Sequence, residues 1–208
     1  MPKIECVDLF GGIGGFRHGL SLADKDFTFN YYADIDKFAC AVYNYNFHET
    51  WKPTDIRTVQ ADDIPDHRVL CAGNPCVAFS RAGLERGFND PRGQLFFEVE
   101  RIIRAKQPEY IFLENVAGLL SNDRGRTFAK VLDTLRDCGY VGSWCCINSA
   151  AFLPQTRKRV YIVGRLGDEP CGALLPFADG NGESYPPCRA AQGEEERLWD
   201  YPANTLQS

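Results

Sequence analysis

A chain of 208 residues and 23.4 kDa, 44 % hydrophobic and 25 % charged, has the makings of a globular fold with its own core and is neither fibrous nor disordered by composition. No apolar run approaches the roughly 20 residues of a membrane span, and MPKIECVDLF lacks the layout of a secretion signal, so the expected setting is the cytoplasm. The net charge of −5 argues against a generic polyanion binder, but it is unevenly spread: residues 168–208 hold eight acids against two bases, leaving 21 basic and 20 acidic groups in the rest.

Taken in chain order, Ile4–Phe10 reads as a short apolar strand, followed at once by the glycine turn GGIGG and by helical spacing from Phe16 to Leu22. Phe27–Ala33 is a second β-rich run, and Lys37–Phe47 is an amphipathic helix with Tyr43 and Phe47 four apart. Val69–Ala72 is a buried strand that leads into a long Gly-, Pro-, Asn- and Arg-rich loop. Leu95–Ala105 is helical, Tyr110–Leu113 a strand and Phe128–Cys138 helical, and β-prone runs Val141–Ser149 and Val160–Val163 close the pattern. Strands alternating with helices predict an α/β fold, a doubly wound and mostly parallel sheet; the last two strands, with no helix between them, predict an antiparallel hairpin at one edge. Beyond residue 167 the periodicity stops. The expected division is a catalytic domain over 1–167 and an acidic, loop-rich tail or remnant of a second lobe over 168–208.

Four clusters carry candidate chemistry. In DLFGGIGGF, residues 8–16, glycines follow a strand in the manner that admits an adenosine ligand, and Asp34, about 20 residues on at the end of the next strand, is placed for ribose hydroxyls. The turn is not G-x-G-x-x-G, so NAD is a poorer expectation than another adenosine cofactor, and a plain connecting turn stays open. In the loop after Val69–Ala72, Cys76 stands behind a proline with Arg81 nearby, where positive charge favours the thiolate; the alternative is a small buried hydrophobe, the role expected for Cys6, Cys40, Cys71, Cys138, Cys145 and Cys146. In FLENV, Glu114 and Asn115 lie where an apolar strand ends, and a proton-bearing Glu there suits a ring nitrogen, although taken alone a Glu capping the following turn is the better reading. In PQTRKR, Arg157 and Arg159 share one face of an extended stretch with Lys158 opposite, which suits a carbonyl oxygen or phosphate, or simply a solvated charge run. The three histidines and nine cysteines show no metal spacing, and no metal is expected.

In order and wording these segments resemble the DNA (cytosine-5) methyltransferase family. DLFGGIGGF, ADID, Thr54-Asp55-Ile56, GNPCVAFSRAG, DPRGQLFFEV, ENV and PQTRKRVYIVG are similar to seven of its motifs, over residues 4–165. The resemblance implies a class I S-adenosylmethionine-dependent fold with a cofactor pocket lined by Phe10, Gly11, Gly12, Gly14 and Gly15. Asp34 would hold the ribose, Ile35 the adenine face and Asp55 the exocyclic amine, with Ile56, Asn74 and Leu95 alongside. It implies Cys76 as nucleophile, Glu114 on cytosine N3, Arg159 on O2, Asn115 and Arg157 as braces, and Ser80, Arg81 and Arg92 as DNA contacts. The chain departs from the family pattern at Val77, where Gln is usual, at Asn74, and at Phe152-Leu153, where Gly-Val is usual. Nothing in residues 166–208 resembles the family's target-recognition region or its last motifs. A second polypeptide completing a split enzyme is the expected partner beside DNA. A silent cofactor- or nucleic-acid-binding module and a transfer-RNA cytosine methyltransferase are the alternatives.

Overall fold

The structure, a computed structural model, describes residues 2–74 and 95–167. Cys76, Ser80, Arg81, Arg92 and the tail over 168–208 lie outside the described residues. Six strands form one sheet, β1 (Ile4–Leu9), β2 (Phe27–Ala33), β3 (Val69–Ala72), β4 (Tyr110–Val116), β5 (Tyr140–Asn148) and β6 (Lys158–Leu166), in the order β2-β1-β3-β4-β6-β5. Four helices accompany them: α1 (Gly15–Ala23), α2 (Lys37–Phe47), α3 (Leu95–Lys106) and α4 (Arg126–Asp137). This is the predicted α/β architecture, mostly parallel with an antiparallel edge. Among the described residues no helix is long and apolar enough to cross a membrane.

The described residues divide into two compact units, one holding residues 2–74 and 95–112, the other residues 113–167. In the first, β1 pairs in parallel with β2 on one side and β3 on the other, and its residues from Cys6 to Leu9 are buried on both faces. Such two-sided burial is what a strand covered by helices requires, and it takes in Asp8 along with Cys6, Val7 and Leu9. Cys6, Phe29, Val69 and Cys71 form one cluster, closed by Phe16 and Leu20 of α1 and by Tyr110 and Phe112. Tyr32, Cys40 and Tyr43 form another against Phe47 and Trp51. Asp36 caps α2 by accepting from the backbone N–H groups of Phe38 and Ala39 at 2.8 and 3.2 Å, a contribution of about 1 kcal/mol. The helix stops at His48, whose φ of 56° is left-handed. Phe96, Val99, Ile102 and Ile103 give α3 its buried face, while its Arg101 reaches out to the carbonyls of Ile56 and Val59.

In the second unit, α4 buries Phe128, Val131, Leu132 and Leu135, and the Phe128 ring meets the edge of Trp144 on β5 at 4.9 Å. β5 and β6 pair antiparallel from Tyr140↔Leu166 to Asn148↔Lys158. Here the structure extends the sequence expectation. β6 begins at Lys158 and continues to Leu166, because ladder pairing with β5 carries polar residues that periodicity alone leaves outside. β4 likewise runs on to Val116, so Glu114 and Asn115 sit within the strand rather than after its end. Six cysteines, Cys6, Cys40, Cys71, Cys138, Cys145 and Cys146, are free thiols, all but Cys146 fully buried.

Candidate active site

The glycine turn of the first unit is built on β1 and β2. Phe10 leaves β1 with a φ of 53°, Gly12 follows at 55° and Gly14 at 94°, and Gly14 is the N-cap of α1. Three residues in that left-handed region within five positions make a sharp reversal that only a glycine-rich segment adopts without strain. The turn is held from below: Gly11 N–H donates to the Ala33 carbonyl at 3.3 Å and Gly14 N–H to the Gly11 carbonyl at 2.9 Å. Tyr32 donates its hydroxyl to the Gly12 carbonyl at 2.9 Å, and Asp34 accepts from Gly12 N–H at 2.8 Å. Gly11 and Gly14 have no room for a side chain, since a Cβ would come within 2.7 Å of Asp8 Cγ or 2.2 Å of Phe47 Cε2. Among the described residues nothing lies within 4 Å of where a Cβ on Gly12 or Gly15 would stand.

Around this turn the residues expected to hold a cofactor take different stations. Asp34 accepts from Gly12 and, through its other oxygen, from Asp36 N–H at 2.8 Å; each oxygen keeps a further lone pair for a ligand. Its carbonyl takes the Thr54 N–H at 2.7 Å, which ties the Thr54–Ile56 segment to the end of β2. Ile35 is 65 % exposed, an apolar side chain left in the open beside that acid. Asp55 caps a short turn and pairs with Arg57, whose guanidinium holds its carboxyl below the usual range. Ile56 is buried in the core, Asn74 is buried at the end of the described stretch, and Leu95 opens α3 half-buried. Glycines with open space above them, an acid with spare acceptors and an exposed aliphatic side chain fit an adenosine cofactor such as S-adenosylmethionine.

Two residues of this unit escaped the sequence reading. Asp8 is wholly buried under the turn, and among the described residues neither carboxylate oxygen has a hydrogen-bond partner. Burial, and secondarily the charge of Asp34, push its pKa up to about 8 against the opposing pull of Arg17. Arg17 itself sits among Phe29, Tyr43 and Phe47, with its carbon 4.6 Å from the Phe47 ring centre, and its guanidinium bonds Glu49 at 2.8 Å. An acid on the inward register of an apolar strand, Cys6-Val7-Asp8, was the available signal for the first; nothing local marked the second.

In the second unit three of the residues expected in catalysis, Glu114, Arg157 and Arg159, come together. Arg159 Nε donates to Glu114 Oε1 at 2.8 Å, and Arg157 Nη2 approaches the same oxygen at 3.5 Å. Glu114 and Arg159 each retain about a fifth of their side-chain exposure and Arg157 about half, so the cluster remains open to a ligand. Asn115 is buried and accepts from Val116 N–H at 2.8 Å. β4 supplies the carboxylate and the antiparallel β6 the guanidinium, while Arg157 lies just before that strand. Burial, followed by the Glu114 charge, raises the pKa of Tyr161, with both arginines opposing. Among the described residues no group of His, Cys, Asp and Glu is arranged to hold a metal ion.

A family model, C-5 cytosine-specific DNA methylase, matches residues 4–207. The type II methyltransferase M.BanI of Aneurinibacillus aneurinilyticus is 44 % identical over 173 residues, 81 % of this chain and 40 % of that protein. M.NgoBI of Neisseria gonorrhoeae is 47 % identical over 162 residues, 77 % of this chain and 50 % of the relative. The crystal structure of the Dnmt2 methyltransferase of S. pombe superposes with a TM-score of 0.67 at 29 % identity, covering 87 % of this chain and 58 % of that one. The chain thus spans about half the length of the curated relatives it matches, or somewhat less. With the family model matching residues 4–207, the chain belongs to the C-5 cytosine-specific DNA methylase family.

Proposed function

We propose that the protein methylates C5 of a cytosine in DNA, flipped out of the duplex, through a covalent bond between Cys76 and C6. The observation that carries the reading is the convergence of Arg157 and Arg159 on one oxygen of Glu114 in an open cluster. A carboxyl and a guanidinium side by side match the N3 and O2 edge of cytosine, one acid-base group and one pure donor. Cytosine C5 is a poor nucleophile until the Cys76 thiolate adds to C6 and pushes electron density onto C5. Glu114 stabilises that shift by holding a proton at N3, and Arg159 does so by donating to O2. Once C5 has taken the methyl group, loss of the C5 proton expels Cys76 and restores the aromatic ring. S-adenosylmethionine, when bound, supplies a methyl group on a sulfonium sulfur for transfer to C5. Asp34 would hold it by the ribose and Ile35 against the adenine, above the open faces of Gly12 and Gly15. A stacked base presents neither C6 nor C5 to a thiol and a methyl donor at once, hence the flipping. Ser80, Arg81 and Arg92 are assigned to the DNA backbone.

The test is methyl transfer from labelled S-adenosylmethionine to mixed-sequence duplexes. Cys76→Ser is expected to abolish transfer while changing cofactor affinity by no more than a few-fold. Normal transfer by that variant contradicts the mechanism.

A further inference from the structure

The turn joining β5 to β6 presents two apolar side chains to solvent: Phe152 is 72 % exposed and Leu153 58 %. The turn is tightly bonded. Asn148 Oδ1 accepts from the backbone N–H groups of Ala150 and Arg157, both at 3.2 Å, and Ser149 N–H donates to the Arg157 carbonyl at 3.0 Å. Ser149 Oγ donates to the Gln155 carbonyl at 2.6 Å, and the Ser149 carbonyl takes the N–H groups of both Phe152 and Leu153, at 2.9 and 2.8 Å. These bonds fix the backbone of the turn that carries Phe152, whose side chain is left exposed.

The same segment is cationic. Residues 148–159 contain Arg157, Lys158 and Arg159 and no acid. An apolar protein surface would gain nothing from three adjacent cations. Nucleic acid is the common partner that combines anionic phosphates with flat apolar faces, and inserted Phe and Leu side chains are a recurring way to occupy a disturbed base step. The bonded turn includes Arg157, one of the two residues that meet Glu114, so the turn carrying Phe152 is tied to that cluster.

We propose that Phe152 and Leu153 form an apolar lip that packs on the base stack of duplex DNA next to the flipped cytosine. The inference rests on the methyltransferase reading and adds to it a contact that supports the disturbed stack. Phe152 makes the stacking contact and Leu153 fills the sugar-lined flank.

Three variants of the full chain test it, Phe152→Ala, Phe152→Tyr and Phe152→Trp, titrated at one fixed salt concentration with a duplex carrying a cytosine opposite an abasic site. Phe152→Ala is expected to bind about tenfold more weakly, the loss of one base–aromatic stack, while Phe152→Tyr binds as the wild type does. Phe152→Trp emission is expected to be quenched by the duplex beyond the change seen in the wild type. S-adenosylmethionine affinity and melting temperature should be common to all four proteins, because the ring is exposed. If the wild type binds the duplex and Phe152→Ala binds it equally well, the lip is overturned and the methyltransferase reading stands. A Phe152→Ala change confined to self-association also overturns it, assigning the turn to a protein contact. Wild-type protein that binds neither duplex nor S-adenosylmethionine overturns the reading and the lip together.

Discussion

Single residues of the glycine turn separate space for folding from space for a ligand. Gly14 has a φ of 94° and a Phe47 ring against it, so Gly14→Ala combines backbone strain with a clash and is expected to cost about 2 kcal/mol or more in a denaturant titration. Gly15 opens α1 with nothing within 4 Å, so Gly15→Ala is expected to leave stability within about 0.5 kcal/mol. The same variant should weaken S-adenosylmethionine binding severalfold; unchanged affinity in calorimetry would mean the ligand does not occupy that space. Asp8 gives a pH signature. Its pKa is raised from the usual range near 4 to about 8 in the folded chain, so the folded state keeps a proton that the unfolded state has lost. The stability this group contributes is complete below pH ~4 and is lost as pH rises towards 8. Asp8→Asn, which cannot ionise, should therefore gain on the wild type by more than about 2 kcal/mol between pH 5 and pH 8, since tenfold in proton affinity is worth about 1.4 kcal/mol. A constant difference between the two proteins across that range contradicts the burial account.

At the scale of elements, the β4–β6 pairing sets the site. Glu114→Gln keeps the shape but removes the charge on which Arg157 and Arg159 converge. Its stability should change by no more than about 1 kcal/mol, as for a partly exposed ion pair, while single-turnover methyl transfer falls by roughly 10²–10³-fold. A variant that transfers at the wild-type rate removes Glu114 from the chemistry. These elements also show what a sequence discloses. β2, α2 and β3 have the boundaries that periodicity predicts, because Asp36, His48 and the flanking polar residues end them locally. The extension of β4 through Glu114 and Asn115, and of β6 back to Lys158, was hidden because strand ends are set by pairing across the sheet, which periodicity along the chain does not report. The segment between α2 and β3 gave no periodic signal. It folds into short turns at 56–58 and 61–63, and Arg101 of α3 bonds the Ile56 and Val59 carbonyls there. Arg157 and Arg159 were legible as sharing one face, whereas their meeting with Glu114 was not, since no local pattern fixes the order in which strands assemble.

For the molecule as a whole, the family model matches residues 4–207, and the charge is uneven along that length: near-neutral to residue 167 and strongly acidic beyond it. Under the proposed function the clustered cations of the near-neutral part meet the DNA, and affinity is expected to weaken as salt rises. The match takes in 40 % and 50 % of the two curated relatives, so catalysis by these 208 residues is the claim that matters most. It is tested most directly with a duplex in which 5-fluorocytosine replaces cytosine, because fluorine cannot leave C5 and the bond between Cys76 and C6 then persists. The account predicts an adduct that survives denaturation, requires S-adenosylmethionine and is absent from Cys76→Ser. Protein that binds both the duplex and the cofactor yet forms no adduct would contradict it.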